Sequence, residues 1–595
     1  MKMKHLLTIA VAAVLAFAAV NVNAQSIVMS GSSAIFLEVG QSSAVQPLSG
    51  SAIANCGWSD NSTVGKQFTL TDTRPGELGE SDANLVDGGN QGWVTWTING
   101  GTCAGTTAGT LINVNVMVSV DSGVGNRCFF ANPSCSVSTT HSNAQSGAGL
   151  LNSATFTETT FLPQAVLNVF PLTINSAATD IRPEDSLFST KRGFTGCGYP
   201  MATGSQYMGT GYQTEPSGYG PNAVGLVGTK ILNGGQNGAG SGPFNLALWT
   251  LSGNDPFAAK AGLTKNAPSY TVYEVGAVPV VVIVNPSNES GLGSLQVTNI
   301  DSGVLSGYLD GSLQRVADLL PQSWNNSSPA EVFTFVREFL SGTYNTMDFN
   351  VPDTVTNQSD QDVGLAAVGG GLQPLECAGA PSSVQTTNSG GLLADSSSVF
   401  SGTYFRVRTI GTGSMVTAVE GKGNALGYAF WSAANFSSAT GANLKYLTVD
   451  GVDPLQEVWQ DGQLPTSGNG LLPVVSLSHV RDGSYPIWSI VRVICGTNCT
   501  ALQALVNSAG NFVGPNQPDF VPLTGGGSLK LVRSHFVPPG LTLPCNSGSP
   551  SNGNTAAGET AECGGDVGGV VYTLQADGDY SEDSGNSAGE VAHRR

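Results

Sequence analysis

Charged residues are scarce in this sequence. Lysine and arginine number 23 and aspartate and glutamate 42 among 595 residues, so charged residues make up 11% of the chain, where soluble domains typically reach about 25%. The formal net charge of −19 leaves too few cations for the basic face of a nucleic-acid-binding protein, and we expect no nucleic-acid partner. The heptad pattern of a coiled coil is also missing.

Long apolar runs are missing beyond the N-terminus. No later stretch reaches about 18 apolar residues, so no membrane span is predicted. Lys2 and Lys4 precede an apolar segment at 6–20, and a small-residue cleavage site ends at Ala24. This pattern is typical of a signal peptide over residues 1–24 that is too short to be a membrane anchor. We therefore expect a periplasmic or secreted protein.

The usual catalytic and cofactor motifs are also missing. The sequence has no P-loop and no Gly-x-Gly-x-x-Gly fingerprint. A Gly-x-Ser-x-Gly match at 585–589 lies in a polar segment with no strand before it, so we treat it as chance. We predict no enzymatic activity, no cofactor and no metal site. A phosphoesterase ranks last among the hypotheses, because it needs a metal cluster or an activated nucleophile.

Ten cysteines are present, and all of them follow the predicted signal peptide. An even number in an exported chain indicates up to five disulfides. The sequence leaves their connectivity open, and we expect the local pairs Cys128–Cys135, Cys495–Cys499 and Cys545–Cys563. The alternative, a metal site, is weak because the chain has no Cys-x-x-Cys and no histidine at ligand spacing from a cysteine.

Strands and helices alternate along the chain, which favours an α/β fold. Strand-like segments lie at 26–29, 67–70, 93–96, 111–120 and 331–337, and a helical pattern lies at 312–320. The β-branched run Val278–Val284 suits a strand buried on both faces, as in a parallel sheet. Residues 546–595 are polar and acidic, which predicts a flexible tail.

One segment is suited to binding an oxyanion. Arg337 ends a predicted strand, Ser341-Gly342-Thr343 follows, and a helix could begin near Tyr344. Glycine lets the backbone approach closely, hydroxyls donate hydrogen bonds, and helix N-terminal N–H groups favour negative charge. The guanidinium of Arg337 adds a planar fork that matches two oxygens. The alternative is an ordinary loop with a serine N-cap and a surface arginine.

These residues resemble the anion motif of the periplasmic phosphate-binding proteins of ABC-type phosphate uptake. Further stretches resemble the same family, and their order along the chain matches it. They are Asp180-Ile-Arg-Pro-Glu-Asp185, Val278–Val284 followed by Asn285-Pro286, 297–311, Ala425-Leu-Gly-Tyr428 and Tyr485-Pro-Ile-Trp488. The resemblance implies a type II periplasmic-binding-protein-like α/β fold, with two interleaved lobes, a hinge and strand-rich insertions at 37–110 and 128–175.

The resemblance also implies a ligand site. Its residues are Ser32, Ser33, Ser122, Asp185, Arg337, Ser341, Gly342 and Thr343. Asp185 is expected to accept a proton from the ligand, because a carboxylate only accepts hydrogen bonds. Phosphate near neutral pH can supply that proton and sulfate cannot. The alternative for Asp185 is a helix N-cap or a surface acid.

The implied organisation is a signal peptide at 1–24, lobe one at 25–277 and 485–545, lobe two at 278–484, and the tail at 546–595. The implied function is that of an exported solute-binding protein that holds a small oxyanion, phosphate, between the lobes, with an ABC transporter as membrane partner. The alternative is a secreted structural or adhesive protein that reuses the fold. The Gly/Asn/Thr-rich insertions and the acidic tail motivate that alternative.

Overall fold

The structure is a computed structural model. It describes residues 26–45, 53–60, 68–71, 91–100, 103, 110–130, 134–141, 151, 159–180, 271–285, 297–310, 313, 315–316, 332–337, 341–351, 365–368, 371–374, 406–409, 412–433, 436, 444–466, 468–510, 519–522, 531–533, 571–574 and 580–582. The signal peptide and Asp185 lie outside these residues, so the predictions made for them stay predictions.

The described residues form many strands and fewer helices. The strands are β1 (Val28–Gly31), β2 (Ile53–Asp60), β3 (Phe68–Thr71), β4 (Gly92–Asn99), β5 (Thr110–Ser119), β6 (Ser136–Thr139), β7 (Leu172–Thr173), β8 (Ser176–Thr179), β9 (Thr271–Asn285), β10 (Asn299–Ile300), β11 (Phe333–Arg337), β12 (Leu365–Val368), β13 (Gly371–Pro374), β14 (Arg406–Thr409), β15 (Ala425–Phe430), β16 (Lys445–Tyr446), β17 (Thr448–Val449), β18 (Trp488–Cys495), β19 (Val521–Pro522), β20 (Leu531–Arg533), β21 (Val571–Leu574) and β22 (Tyr580–Glu582).

The helices are shorter and mostly follow strands. The α-helices are α1 (Phe36–Val45), α2 (Ser122–Phe130), α3 (Gln164–Leu167), α4 (Ser302–Asp310), α5 (Gly342–Asn350), α6 (Thr412–Gly421), α7 (Ser478–Arg481) and α8 (Cys499–Ala509), with 3-10 helices at Ser33–Ile35 and Leu472–Val474. None of these helices, among the residues the structure describes, is long and apolar enough to cross a membrane.

A single mixed sheet of twelve strands organises the fold, so the predicted α/β class is confirmed. The strand order is β14-β11-β15-β9-β18-β8-β1-β5-β4-β2, and β16 and β19 also pair with β9. Two groups within the sheet are parallel. We call β1, β5 and β8 the first trio and β11, β14 and β15 the second trio. The division into two lobes and a hinge stays a prediction.

Strand β9 joins the two trios. Its run Val278–Val284 is buried, as its β-branched sequence predicts. The expectation of parallel neighbours is wrong, because β9 pairs antiparallel with β18 along its first half and with β15 along its second. Strand partners occupy the edges of β9, and core side chains cover its faces whichever way those partners run. The β-branched sequence of this run therefore indicates burial and not the direction of the neighbouring strands.

The carboxyl ends of the two trios face each other across the middle of β9. Thr179 at the end of β8 lies opposite Arg492 of β18, which lies opposite Glu274 of β9. On the other side, Phe430 at the end of β15 lies opposite Val280 of β9. The first trio runs with β9 and the second runs against it. The loops that follow both trios therefore open toward the same region.

The other secondary-structure predictions have mixed outcomes. The predicted strands at 26–29, 67–70, 93–96, 111–120 and 331–337 correspond to β1, β3, β4, β5 and β11. The helix expected near Tyr344 begins at Gly342. The helix predicted at 312–320 is not found where that segment is described, and α4 ends before it. β21 and β22 lie in the predicted tail and pair with each other, and β21 also pairs with β20.

The first insertion extends the main sheet. Strands β2 and β4 pair antiparallel with each other, and β4 continues the ladder from β5. Trp58, Trp93 and Trp96 on these two strands are all at most 2% exposed. Burying aromatic side chains of this size dominates local core energetics. The described part of the insertion is therefore packed into the scaffold.

Three disulfides lie within the described residues. The predicted pairs Cys128–Cys135 and Cys495–Cys499 are confirmed. A third joins Cys56 of β2 to Cys103, which local spacing did not predict. The predicted pair Cys545–Cys563 lies outside the described residues. Disulfides persist in oxidising compartments, so these bonds point to a location outside the cytoplasm.

A buried pair of carboxyl groups ties α1 to the segments after β15 and before β19. Glu38 on α1 and Asp519 are 2% and 1% exposed. The Asp519 carboxylate accepts hydrogen bonds from the Ala433 N–H (2.8 Å) and the Ser432 hydroxyl (3.2 Å). Burial, and then the neighbouring Asp519, raise the pKa of Glu38 well above its ordinary value. The pKa of the Glu38 carboxyl is therefore higher in the folded protein than in the unfolded chain.

Replacing Glu38 with glutamine should flatten the pH dependence of stability. A folded-state pKa raised above the unfolded value makes the free energy of unfolding fall as pH rises from the ordinary glutamate range, about 4.3, through the raised pKa. Glu38→Gln keeps a donor for Asp519 but cannot lose a proton. Denaturant unfolding measured across this pH range should show a smaller slope for the variant than for the wild type.

The matched control is Glu457→Gln, because Glu457 is an exposed glutamate. It should retain the wild-type slope. Equal slopes for Glu38→Gln and wild type would show that the pair does not hold a proton in the folded state.

Candidate functional site

Arg337 is the last residue of β11 and is 3% exposed. Its Nη1 donates to the Thr412 hydroxyl (2.9 Å) and lies 3.5 Å from the Thr343 hydroxyl. Its backbone N–H donates to the hydroxyl of Tyr428 on β15 (3.1 Å). Arg337 is therefore not the surface arginine that the ordinary-loop alternative requires. A buried guanidinium is costly unless acceptors and negative charge surround it.

The other end of the Arg337 fork reaches the first trio. Nη2 lies 3.4 Å from Oδ1 of Asp121, which stands between β5 and α2 and is 8% exposed. The two residues are 216 positions apart in the sequence. This ion pair is thus a direct contact between the loops that follow the two trios. Neither Asp121 nor Thr412 was among the residues expected from the sequence.

Three helix N-termini lie beside this arginine. α5 starts at Gly342, next to Thr343, α6 starts at Thr412, and α2 starts at Ser122, next to Asp121. A further helical run starts at Ser33, after β1. Each of these helices follows a parallel strand of one of the trios. The unpaired N–H groups and the helix dipole give each start a partial positive charge of about +0.5. The region is therefore suited to an anion.

A second carboxylate stands beside these helix starts. Asp180 follows β8 directly and is 2% exposed. The Ser122 hydroxyl donates to Oδ1 of Asp180. A methyl group added at Gly342 would overlap the same carboxylate, so the start of α5 approaches it as only glycine can. The second contact between the trios is therefore made by Gly342 and Asp180.

The loop after β1 is held tightly by its own hydrogen bonds. Gly31 has φ +130°, which L side chains rarely adopt. The Ser32 N–H donates to the Ala178 carbonyl (2.8 Å), and the Ser32 hydroxyl accepts from the Ala34 N–H (3.3 Å). Ser32 therefore caps the helical run that begins at Ser33. The Ser32 hydroxyl oxygen is the acceptor in this bond, so the hydroxyl proton can still be donated to another group.

The expected site residues meet in part. Arg337, Gly342, Thr343 and Ser122 contact one another or a shared carboxylate. Ser341 occupies the N-cap position of α5 without a side-chain cap hydrogen bond, and its carbonyl accepts from Asn345. Asp185, as the implied proton acceptor, lies outside the described residues.

Two carboxylates of the site were missed from the sequence, and both carried a usable signal. Asp180 follows a strand end directly, just as Arg337 ends β11, whereas Asp185 lies five residues further on. Asp121 is the first residue of the Asp121-Ser-Gly-Val-Gly125 segment whose serine was selected. The carboxyl ends of parallel strands are where ligands bind in α/β sheets. Position at a strand end is therefore the signal that could have singled out these two residues.

No group of three or more His, Cys, Asp or Glu side chains that could hold a metal ion occurs among the described residues.

No protein-family model matches the sequence, and no curated protein matches it. Solved structures to which the fold is similar include phosphate-binding proteins, as the sequence resemblance indicated. An ABC-type phosphate transport receptor from Vibrio cholerae is 13% identical, with a TM-score of 0.24, and the match covers 41% of this chain and 70% of that one.

Two further structures match a larger share of the chain. A phosphate-binding protein from Stenotrophomonas maltophilia is 11% identical, with a TM-score of 0.29 and coverage of 69% of this chain and 84% of that one. A human phosphate-binding apolipoprotein is 10% identical, with a TM-score of 0.25 and coverage of 68% and 84%. Identities and TM-scores this low do not assign roles to residues of this chain, whose own contacts are the basis for them.

Replacing Gly342 with alanine should destabilise the protein. The added methyl group overlaps the buried Asp180 carboxylate, so either this side chain or the start of α5 must shift. Overpacking of this kind typically costs about 1–3 kcal/mol. Chemical denaturation should therefore give a lower free energy of unfolding for Gly342→Ala than for the wild type.

The matched control is Gly413→Ala, near the start of α6. A methyl group there meets no atom within 4 Å, and alanine favours a helix over glycine by up to about 1 kcal/mol. This variant should be neutral or slightly stabilised. Equal effects of the two substitutions would contradict the close approach of Gly342 to Asp180.

Proposed function

We propose that this chain is an exported solute-binding protein that holds a small oxyanion, phosphate, between two interleaved lobes. Lobe one would comprise 25–277 and 485–545, and lobe two 278–484. The observation that carries the proposal is the buried guanidinium of Arg337 at the facing carboxyl ends of the two trios. Helix starts and hydroxyl groups surround this cation.

The donors around Arg337 suit a tetrahedral oxyanion. A guanidinium offers five N–H donors in a planar fork that matches two oxygens at once. The hydroxyls of Thr343 and Thr412 lie beside that fork, and Ser122 lies beside Asp180. Backbone N–H groups at the starts of α2, α5 and α6 add donors without side-chain entropy cost. Such a set binds an anion by many short, directed hydrogen bonds.

Phosphate is favoured over sulfate because of Asp180. We assign to Asp180 the proton-accepting role that the resemblance implied for Asp185. A carboxylate cannot donate, so it needs a ligand oxygen that carries a proton. Sulfate would bring an unprotonated oxygen against a buried carboxylate, and an unmet buried acceptor costs about 1–3 kcal/mol or more.

The contacts between the trios fit a site that closes around its ligand. Arg337 and Gly342 from the second trio meet Asp121 and Asp180 from the first. In the main sheet, β9 and β18 lie between the two trios. Closure about such a hinge would enclose the anion, and an ABC transporter would collect it from the closed form.

Removing the guanidinium of Arg337 should abolish most anion binding. Titration calorimetry of the mature protein should show binding of phosphate and arsenate and none of sulfate. Arg337→Ala should weaken phosphate binding by about 30-fold or more, because truncating one partner of a buried charge pair costs about 2–5 kcal/mol.

The control for this substitution is Arg481→Ala, which removes an arginine of α7 that bonds the Ser476 carbonyl. It should bind phosphate as the wild type does.

Absence of heat with all three anions would reject the binding function. If Arg337→Ala then left the protein's behaviour intact while deletion within 55–110 abolished partner binding, the adhesive alternative would stand.

Two threonines of α5 allow a finer test. The Thr343 hydroxyl lies beside the Arg337 fork, whereas that of Thr346, one turn later, is buried without a hydrogen-bond partner. Thr343→Val should weaken phosphate binding about 2- to 10-fold, the usual contribution of one hydrogen bond. Thr346→Val should leave it unchanged. Equal dissociation constants for the two variants would place Thr343 outside the ligand contacts.

A further inference from the structure

Two adjacent residues of β15, Gly427 and Tyr428, lie next to the elements that hold Arg337. Both are buried. They end the Ala425-Leu-Gly-Tyr428 stretch, to which the proposed function gives no role of its own. Their contacts show how this stretch acts on the cation of the site.

Strand β11 separates from β15 before it reaches Arg337. The parallel ladder between the two strands pairs Phe333 with Ala425 and ends one residue later, whereas β11 stays paired with β14 up to Arg337. The Phe333 N–H donates to the Asn424 carbonyl of the β15 side (2.9 Å). Alternate N–H groups of a strand point to the same edge, so the N–H of Arg337 also faces β15.

The hydroxyl of Tyr428 takes the place of a ladder bond at this point. If the register continued, the Arg337 N–H would meet the backbone carbonyl of Tyr428, four residues beyond the Phe333–Asn424 bond. It donates instead to the hydroxyl of the same tyrosine, at 3.1 Å. A buried backbone N–H needs a partner, and this side chain supplies it where the two strands have separated.

Gly427 determines how closely α6 packs on β15. A methyl group added at Gly427 would stand 2.6 Å from the sulfur of Met415 and 2.7 Å from a methyl carbon of Val419, both on α6. Thr412 is the first residue of this helix, and its hydroxyl accepts from Nη1 of Arg337 (2.9 Å). The distance between α6 and β15 therefore decides where the acceptor for Nη1 lies.

We propose that Gly427 and Tyr428 are positioning residues that orient Arg337 for the anion. Tyr428 acts directly on the Arg337 backbone. Gly427 acts through α6, which places the Thr412 hydroxyl at Nη1. This inference rests on the proposed function and adds to it the residues that orient its cation.

A guanidinium held at its backbone and at Nη1 keeps its fork in one orientation. Apparent affinity scales with the fraction of the protein that is in the binding-competent arrangement. Removing either contact lets the fork take other orientations, so the competent fraction falls before any ligand arrives. The expected signature is weaker anion binding that depends on the presence of the arginine.

Tyr428→Phe removes the hydroxyl and keeps the ring. Titration calorimetry should show phosphate binding weakened about 3- to 10-fold, which corresponds to the contribution of one neutral hydrogen bond. The matched control is Tyr446→Phe. It removes another buried hydroxyl, which donates to the carboxylate of Asp453 (3.1 Å), and it should bind phosphate within about twofold of the wild type.

Thr412→Val tests the second contact and serves if Tyr428→Phe fails to fold. It should weaken phosphate binding by about 3-fold or more, because the lost acceptor serves a charged donor. Thr412→Ser keeps the hydroxyl and should stay within about twofold of the wild type. In an Arg337→Ala background, Thr412→Val and Tyr428→Phe should each change the remaining affinity by less than about twofold, because both act through the arginine.

Hydrogen exchange gives a readout that needs no ligand. The backbone amide of Arg337 should exchange faster in Tyr428→Phe than in the wild type, and at the wild-type rate in Tyr446→Phe.

The inference is overturned if Tyr428→Phe and Thr412→Val both bind phosphate as the wild type does. Equal losses in the two tyrosine variants, undiminished losses in the Arg337→Ala background, or unchanged exchange of the Arg337 amide would overturn it as well. Each of these outcomes leaves phosphate binding by the wild type intact. Absence of phosphate binding by the wild type would instead reject the proposed function, and the inference with it.

Discussion

The burial of the Arg337 guanidinium is the constraint on which the arrangement of this molecule depends. A cation removed from water is tolerated only where acceptors and negative charge replace its hydration. The threonine hydroxyls of α5 and α6 and the carboxylate of Asp121 provide that replacement. Asp121 belongs to the other parallel trio. Stabilising this one cation therefore requires the two halves of the main sheet to be in contact.

The sheet topology makes that contact achievable. Two parallel trios run in opposite directions beside one long strand, and the registers of β8 and β15 place both sets of carboxyl ends near its middle. The loops after these parallel strands lead into helices, so helices that follow both trios begin near the middle of β9. The insertion strands β2 and β4 extend the far edge of the sheet, away from β9, without entering this region.

The close approaches around the site explain its small residues. Gly31 adopts a backbone conformation that other residues avoid, and Gly125 brings α2 so near that a methyl group would stand 2.6 Å from the Gly31 Cα. Gly342 lets α5 approach Asp180 in the same way. These glycines leave backbone N–H groups and carboxylates close together.

About half of the site could be predicted from the sequence. Arg337, Gly342 and Thr343 were predicted because a strand, a turn and a helix start are local features that residue type and spacing specify. Asp180 and Asp121 were missed, because their importance depends on partners from distant parts of the chain. The ion pair of Asp121 with Arg337 spans 216 residues, and no local pattern encodes such a contact.

Local sequence patterns were enough to predict the α/β class, the burial of Val278–Val284 and the strand-arginine-turn-helix unit at 333–350, and short spacing favoured the two local disulfides. These features depend on side-chain periodicity and on neighbours within a few residues. The tertiary structure was needed to show that β9 pairs antiparallel on both sides, that Cys56 joins Cys103, and that Asp121 pairs with Arg337. Strand order and register are set by packing the whole core, so they decide which distant groups meet.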